Sequence, residues 1–494
     1  MHIPKKPLAK KQLIEQMRAM KVSDADWKHG RTWSLVYHQS EKHEALLREA
    51  YGLYIAENYL NPMAFRSLRR MEAELVSMTA GMLGGDGDTV GTTTSGGTES
   101  IILAAKTYRD RARARRPWIR KPEILAPRSA HVAFEKAAQL LGMRLVTAPL
   151  DDDFRVDLKA MRRRINRNTV VLVGSAPQFP QGVIDPIEAL GQMALEKKLP
   201  LHVDSCIGGF LLPWWAKLGR HVPPFDLRVP GVTSISADLH KYGYASKGAS
   251  VLLYRSMKTM RHQFFVSTDW PGGVYASAGL PGTRPGGAIA AAWAAVMAMG
   301  EQGYMDMAKK TAQATDQLMA GIRQIPGLCI LGEPAMSLVA IAAAEPEIDI
   351  YVVADELERR GWHTDRQQRP ANIHVTVTSN HLKVIETYLV DLKAAVLYAR
   401  AHPEERHEGN AAMYGMMAKV PVRGLVGKSV RKYMETMYSA EGGIPELSKM
   451  GQGEDSDALS KLIDRFGPVA MQAMEKAEAL GRRLRERLRK RLQP

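Results

Sequence analysis

Cysteine is scarce in this sequence: Cys206 and Cys329 are the two cysteines among 494 residues. Two thiols cannot build the disulfide framework of a small secreted protein, so the composition favours a reducing, intracellular environment. Long apolar runs are also missing, since none approaches the roughly 20 residues needed to span a bilayer. The N-terminal stretch MHIPKKPLAKKQLIEQMRAM has basic residues but lacks the apolar core of a signal peptide. We therefore expect a soluble, cytoplasmic protein.

Glycine and proline are not in excess, because 41 Gly and 27 Pro are ordinary for this length. They exclude a collagen-like or wholly disordered chain. Positive charge is in excess, at a formal +16, and much of it lies in clusters at 109–121, 162–167 and 482–491. No RNA- or DNA-binding motif accompanies these clusters, so no specific nucleic-acid partner is expected. The same field favours an anionic small substrate or an anionic membrane surface.

The order of apolar and helical patterns indicates an α/β protein. EILAP, RLVTAPL, TVVLVGSAP and PLHVDS are short apolar runs, and the first three are each followed by a helical pattern. Runs of this kind are typical of parallel strands buried on both faces. EALLREAYGLYIAENYL before them reads as a helix, and LGGDGDTVGTTTSGGTES as a turn segment. The predicted organisation is a helical arm (1–85), a large α/β domain (86–320), a small α/β domain (321–440) and a basic helical extension (441–494).

The segment TSGGTES, residues 94–100, has the character of an anion cradle. Glycine lets backbone N–H groups approach an anion closely, and the start of a helix supplies unpaired donors. Thr98 is predicted to cap this helix and to donate its hydroxyl to the same anion. The segment lacks the lysine of a nucleotide-binding P-loop. A helix cap with a flexible lead-in remains the alternative.

Two further residues at strand ends carry chemistry. Asp204 ends the run PLHVD, where it either pairs with a protonated ring nitrogen or caps a helix. Lys241 follows the run VTSISA and is either a solvent-facing lysine or an amine that attacks a carbonyl, which requires a lowered pKa. His240 beside it can bind an anion, and Lys247 can bind a second one. A cradle, an aspartate and a lysine in this order on an α/β domain are expected of a pyridoxal phosphate enzyme of fold type I.

Seven segments together closely resemble the sphingosine-1-phosphate lyase family, within the group II pyridoxal-phosphate decarboxylases. They are TSGGTES, APRSAHVAFEKAA, APQFPQGVIDP, LHVDSCIGGF, SISADLHKYGYASKG, FFVSTDWPGGVYAS and GTRPGG, and the resemblance extends from Tyr37 to Tyr438. It implies the pyridoxal-phosphate-dependent transferase fold, with a mainly parallel seven-stranded sheet, a helical arm and a small C-terminal domain. It also implies pyridoxal 5′-phosphate as cofactor, and no metal site is expected.

The resemblance implies a role for each candidate site residue. Lys241 would carry the cofactor covalently, Asp204 would bind its ring nitrogen and His131 would stack on its ring. The implied ligands of the cofactor phosphate are Gly97, Thr98, Ser236, His240 and, from the other subunit of a homodimer with shared active sites, Thr283. The implied substrate-phosphate and catalytic residues are Tyr37, Lys247, Tyr275 and Tyr414.

The implied reaction is retro-aldol cleavage of a phosphorylated long-chain base to a fatty aldehyde and phosphoethanolamine. One alternative is a pyridoxal-phosphate-dependent decarboxylase of aromatic or acidic amino acids. Another is a non-catalytic protein that binds membranes or polyanions through its basic C-terminal helix. Two features depart from the family: Asn61 occupies a position that is histidine in some relatives, and the C-terminal extension has no counterpart that we can match.

Overall fold

The computed structural model describes residues 2–407, 409–411, 414–415 and 423–439. The basic extension predicted for 441–494, with its proposed membrane contact, lies outside the described residues. Within the described ranges, no helix is long and apolar enough to cross a membrane. The same ranges contain no group of three or more His, Cys, Asp or Glu side chains that could hold a metal ion.

The N-terminal arm contains three helices: α1 (Lys10–Met20), α2 (Glu41–Leu53) and α3 (Arg66–Met82). The helix predicted for EALLREAYGLYIAENYL ends at Leu53, seven residues earlier than expected. Its last residues pair elsewhere, because the Tyr59 N–H donates to the Arg284 carbonyl at 2.8 Å and Asn58 forms a β-bridge with Pro285.

A seven-stranded sheet forms the centre of the fold and confirms the predicted architecture. Its strands are β1 (Val90–Thr94), β2 (Glu123–Pro127), β3 (Arg144–Ala148), β4 (Thr169–Ser175), β5 (Leu201–Asp204), β6 (Val232–Ala237) and β7 (Ser250–Tyr254). They lie in the order β1-β7-β6-β5-β4-β2-β3, in which β7 is antiparallel to both neighbours and the other pairs are parallel. The segment predicted as a turn therefore contains an edge strand, β1, made of valine, glycine and threonine.

Helices cover both faces of this sheet. They are α4 (Gly97–Arg115), α5 (Ala133–Leu140), α6 (Leu158–Arg164), α7 (Ile187–Lys197), α8 (Leu212–Lys217) and α9 (Met257–Met260). Alternate residues of β4 belong to different cores: Leu172 packs in one buried cluster, and Val171 and Val173 pack in another. The central parallel strands β2, β4 and β5 are consequently buried along their whole length, as their short apolar runs predict, whereas the edge strand β3 is exposed at Arg144 and Thr147.

Beyond the sheet, β8 (Phe265–Ser267) and β9 (Tyr275–Ser277) form an antiparallel hairpin. The long helix α10 (Gly286–Arg323) bends at Gly300, where φ is 53°. The remaining elements are β10 (Leu328–Ile330), β11 (Leu338–Ala343), α11 (Ile350–Arg359), β12 (Asp365–Gln367), β13 (Asn372–Thr376), α12 (Ile385–Ala401) and α13 (Arg423–Met437). In the part of the chain that the structure describes, short 3-10 helices lie at Lys21–Ser23, Arg261–Gln263, Ser379–Lys383 and Pro403–His407.

The chain divides into two compact units. The first contains the residues up to 342 together with 361–365 and 374–390, and the second contains 343–360, 366–373 and the described residues from 391 onward. Since these units do not follow chain order, the four boundaries proposed from the sequence stay predictions.

Candidate active site

The cradle predicted before α4 is built around two glycines. β1 ends at Thr94, Gly96 is the N-cap of α4 with a φ of 155°, and the helix begins at Gly97. Few residues other than glycine adopt this φ. Thr98 lies in the first turn with an exposed side chain, so the prediction that Thr98 caps the helix is wrong.

The position of Gly97 has no room for a side chain. A β-carbon there would lie 2.7 Å from Sγ of Cys206 and 2.9 Å from Oδ2 of Asp238. A β-carbon on Gly96 would lie 3.2 Å from Cε1 of His240. The cradle, the segment after β5 and the segment after β6 therefore meet at one edge of the sheet, where the strand ends of α/β proteins bind ligands.

Lys241 is held by a carboxylate, Asp238, that no sequence motif indicates. Its Nζ lies 3.0 Å from Oδ2 of Asp238, whose side chain is 2% exposed, and Nε2 of His240 lies 3.6 Å from the same oxygen. Burial by itself would lower the pKa of Lys241, but the Asp238 charge outweighs burial and raises this pKa above its ordinary value. The expectation of a lowered lysine pKa is therefore wrong for this arrangement.

The only sequence signal for Asp238 is its place three residues before the lysine in ADLHK. That spacing does not distinguish a site carboxylate from a surface one, because the turn after β6 decides where the side chain points. Oδ1 of Asp238 is buried and has no hydrogen-bond partner among the described residues. An unpaired buried acceptor of this kind is unfavourable unless a ligand or proton completes it.

Asp204 ends β5 as predicted. Its Oδ1 accepts hydrogen bonds from the Cys206 N–H at 3.1 Å and from Oγ of Ser236 at 3.5 Å. Below them, Nε2 of His202 lies 3.4 Å from Oγ of Ser236, and burial lowers the pKa of His202 to about 4, so this ring is neutral. Ser236 makes no described hydrogen bond with the cradle, although Sγ of Cys206 lies 3.2 Å from its Oγ. Its assignment to the cofactor phosphate stays a prediction.

Lys247 and Tyr37 lie beside the first lysine. Nζ of Lys247 donates to the carbonyls of Leu35 at 2.7 Å and His240 at 3.3 Å, and it lies 5.2 Å from the centre of the Tyr37 ring. Desolvation and the nearby charge of Lys241 lower the pKa of Lys247 to about 8. Burial raises the pKa of Tyr37 to about 12, so its hydroxyl is a neutral donor. The structure thus brings together two lysines and a tyrosine.

Two predicted residues are placed without being joined to this cluster. His131 is exposed in the turn after β2, where its Nδ1 accepts from the Ala133 N–H at 3.2 Å. Tyr414 belongs to the second compact unit, where its ring centre lies 5.8 Å from that of Tyr351. The roles of both residues stay predictions.

Asn61, the departure from the family, has a local structural function. Its Oδ1 accepts hydrogen bonds from the Met63 N–H at 3.0 Å and the Ala64 N–H at 3.3 Å, in the turn that leads into α3. Asparagine is favoured in such turns because its short side chain reaches the backbone.

Tyr275 and Thr283 lie in and after the hairpin. Tyr275 is opposite Ser267 in the β8–β9 pair, and Oγ1 of Thr283 accepts from Nδ2 of Asn58 at 3.1 Å. Among the described residues, neither makes a hydrogen bond or ring contact with Lys241. The hairpin region also carries six exposed large apolar side chains: Phe264, Phe265, Val266, Trp270, Val274 and Leu280.

Two carboxylates, Glu99 and Glu72, help to connect the segment after the hairpin to the cradle and to β1 of the same chain. Oε1 of Glu99 accepts from the Leu280 N–H at 3.1 Å, while its Oε2 accepts from the Ser95 N–H at 2.7 Å. Oε1 of Glu72 accepts from Nη2 of Arg284 at 2.7 Å, and Nη2 also donates to the carbonyl of Thr93 at 2.9 Å. Burial alone would raise the pKa of Glu72, but the Arg284 charge and the hydrogen bonds lower it to about 2.

A cavity of about 610 Å³ adjoins this second carboxylate. Its lining includes Tyr59, Glu72 and Arg284, but Lys241 is not part of it. The cavity therefore belongs to the region between α3, β1 and the hairpin, and it is separate from the two lysines.

The residues at the sheet edge fit pyridoxal phosphate. The helix start at Gly97 is bare of side chains and offers N–H groups to a phosphate. The described hydrogen bonds of Asp204 end on Oδ1, which leaves Oδ2 for a ring nitrogen. Lys241 supplies a half-buried amine at the same edge, next to an acceptor, Oδ1 of Asp238, that has no described partner.

Comparison with known proteins agrees with a pyridoxal phosphate site. The family profile described as "Pyridoxal-dependent decarboxylase conserved domain" matches residues 1–343. A sphingosine-1-phosphate lyase of Arabidopsis thaliana is 44% identical over 435 residues, which are 86% of this chain and 79% of that protein. The solved sphingosine-1-phosphate lyase of Burkholderia pseudomallei is 42% identical with a TM-score of 0.78, covering 82% of this chain and 94% of the other.

A more distant solved structure shows how widely the fold is used. The glutamate decarboxylase of Lactobacillus brevis matches with a TM-score of 0.71 over 81% of this chain and 95% of its own, at 18% identity. At that identity the likeness concerns the fold alone.

Proposed function

The chain belongs to the sphingosine-1-phosphate lyases within the pyridoxal-dependent decarboxylase family, and from this premise we propose that its substrate is sphingosine 1-phosphate or a related phosphorylated long-chain base. The reaction is pyridoxal-phosphate-dependent cleavage between two carbons, which gives a fatty aldehyde and phosphoethanolamine. The observation that carries the substrate assignment is the second cation: Lys247 lies beside Lys241 and over the ring of Tyr37. A substrate with its own phosphate requires such a group, and an unphosphorylated amino acid does not.

At the cofactor end of the site, residues of the chain would bind the cofactor and orient it. Asp204 would hold the ring nitrogen in its protonated form, and His131 would hold the ring. Gly97, Thr98, Ser236 and His240 would bind the cofactor phosphate. When bound, pyridoxal phosphate supplies an electron sink for the bond that breaks.

At the substrate end, Lys247, Tyr37 and Tyr414 bind the substrate phosphate through charge-assisted hydrogen bonds. A base removes the proton of the hydroxyl next to the bond that breaks. Lys241, once its amine is free, or Tyr275 then delivers a proton to the carbon that keeps the amine.

The substrate assignment is tested by product analysis. Purified protein supplied with pyridoxal phosphate should convert sphingosine 1-phosphate to hexadecenal and phosphoethanolamine in equal amounts. Unphosphorylated sphingosine is the matched control, and it should react far more slowly because it leaves Lys247 without a partner. Carbon dioxide release from glutamate or an aromatic amino acid, with no aldehyde from the lipid, would instead support the decarboxylase.

A homodimer with shared sites is part of the same proposal. Exposed apolar side chains crowd the hairpin, with Val274 77% exposed, and such patches mark interaction surfaces. Tyr275 and Thr283 lie on this side of the chain and make no described contact with Lys241. Both residues can act if the hairpin reaches the site of a second copy, where Thr283 binds the cofactor phosphate. Contact of the basic C-terminal helix with anionic membrane lipid also belongs to the proposal, since a long-chain base is drawn from a lipid surface.

Subunit mixing tests the shared site. Lys241→Ala and Thr283→Asp should each be inactive alone, the second because a carboxylate repels the cofactor phosphate. In a mixed dimer, one site receives Lys241 from one chain and Thr283 from the other. A 1:1 mixture should therefore recover about a quarter of wild-type activity, since about half of the dimers are mixed and each has one intact site. No recovery in a mixture shown to exchange subunits would mean that Thr283 serves its own chain.

A further inference from the structure

Asp238 lies between the two groups that this site has to bring together. On one side, its Oδ2 is 3.0 Å from Nζ of Lys241. On the other side, a β-carbon added to Gly97 would lie 2.9 Å from Oδ2 and 3.0 Å from Oδ1 of this carboxylate. The carboxylate therefore contacts both the attacking amine and the start of the phosphate cradle.

The surroundings of Asp238 favour proton exchange between its carboxylate and Nζ of Lys241. Its Oδ1 is buried and has no described hydrogen-bond partner. The ionisable groups around the pair are Cys206, His240, Lys247 and Tyr37, with the Asp204 carboxylate on the other side of Cys206. Burial and the nearby carboxylates raise the pKa of the Cys206 thiol, and burial lowers the pKa of His240, so both are neutral. The carboxylate is thus the proton acceptor in direct contact with Nζ.

Protonation of Lys241 creates a chemical requirement. The charge of Asp238 raises the pKa of this amine above its ordinary value, so the amine holds its proton in the resting chain. An ammonium group cannot attack an aldehyde, because its lone pair is occupied. A negative carboxylate next to the cradle would also repel an arriving phosphate. Transfer of one proton from the lysine to the aspartate removes both obstacles.

We propose that Asp238 is a catalytic acid–base that exchanges a proton with Lys241 each time this amine forms or breaks its bond to the cofactor aldehyde. The Asp238 carboxylate first takes one of the three protons of Nζ. The freed lone pair then forms the C–N bond, and the aldehyde oxygen leaves as water with one further proton from nitrogen and the one held by Asp238. Nζ keeps its third proton and the carboxylate is regenerated, so atoms and charge balance. This inference rests on the role proposed for Lys241.

The test follows covalent capture rather than turnover. Protein freed of cofactor is mixed with pyridoxal phosphate over a pH series and quenched with borohydride, and the label on the Lys241 peptide is measured by mass spectrometry. In Asp238→Asn, the pH midpoint of capture should move to lower pH, because the carboxylate that raises the lysine pKa is gone. The maximal capture rate should fall about 100-fold, because no acid serves the departing oxygen.

The matched control is Asp226→Asn, a buried aspartate paired with Arg228 at 2.6 Å and outside the site, which should leave rate and midpoint unchanged. Asp238→Ala with added formate is a second variant, and formate should restore capture. An Asp238→Asn protein with the wild-type rate and midpoint, or a folded Asp238→Ala protein whose capture ignores formate, would overturn the proposal. Wild-type protein labelled elsewhere than Lys241 would overturn the lysine assignment itself, a distinct result.

Discussion

Replacing Lys241 by alanine is expected to lower turnover by about 10⁴-fold or more, as removal of a covalent catalyst does in other enzymes. The same change should abolish borohydride trapping and the visible absorbance of covalently bound cofactor. The physical reason is position: Nζ of Lys241 is the amine that the turn after β6 places on the buried Asp238, at the edge where Gly97 and Asp204 also lie. Activity with sphingosine 1-phosphate, absorbance and trapping measure the three effects.

Retention of cofactor gives this prediction a sharper form. The cradle and Asp204 are intact in Lys241→Ala, so cofactor should still bind but should be lost on desalting, whereas the wild type keeps it. Lys217→Ala is the matched control, because this exposed lysine pairs with Glu301 at 2.9 Å, far along the chain from the cradle. A borohydride label on Lys247 in wild-type protein would show that the roles of the two lysines are reversed.

Replacing Lys247 by alanine should separate substrate binding from cofactor binding. The variant should keep its visible absorbance, yet kcat/KM for the phosphorylated lipid should fall about 100-fold, because truncation removes one partner of a charge-assisted hydrogen bond to the substrate phosphate. Steady-state kinetics at fixed pH measure the loss. Normal cleavage of the lipid by Lys247→Ala would remove the second-anion assignment, and with it the argument from Lys247 for a phosphorylated substrate.

The pH dependence gives an independent view of the same lysine. The pKa of Lys247 is about 8, so its ammonium is charged below that pH and neutral above it. KM for the phosphorylated substrate should therefore rise as pH increases through 8 in the wild type. In Lys247→Arg the rise should disappear, because arginine keeps its charge throughout. An unchanged alkaline limb in Lys247→Arg would assign the titration to another group.

The parts of the site that the sequence predicts are those fixed by strand ends. Asp204 closes β5 and Lys241 follows β6, and these strands are visible in the sequence as the short runs PLHVD and VTSISA. Because parallel strands end at one edge, the chain order of cradle, acid and lysine already places them together. The fold type and the cofactor follow from this arrangement and from the motifs that carry the family resemblance.

The parts that the sequence does not predict depend on long-range pairing and on turns. β1 looks like a turn segment because of its glycines and threonines, and it becomes a strand by pairing with β7, which lies about 160 residues later. Asp238 and the sign of the lysine pKa shift were missed for a related reason. The turn after β6 directs that carboxylate at Nζ, and no periodicity encodes such a turn. The strands of the hairpin have three residues each, which is too short for a periodic pattern, so only the family resemblance marks this segment.

Glu99 accepts hydrogen bonds from two segments that are distant in the chain, so the local stabilities of these two segments are coupled. Leu280 and Glu99 are 181 residues apart in the chain, and the Leu280 and Ser95 amides end on the two oxygens of that one carboxylate. When either amide opens to solvent, the carboxylate loses part of what orients it, and protection of the other against deuterium exchange weakens with it. Local opening at the phosphate cradle therefore lowers the stability of the loop beyond the hairpin, and Lys241 takes no part in this coupling.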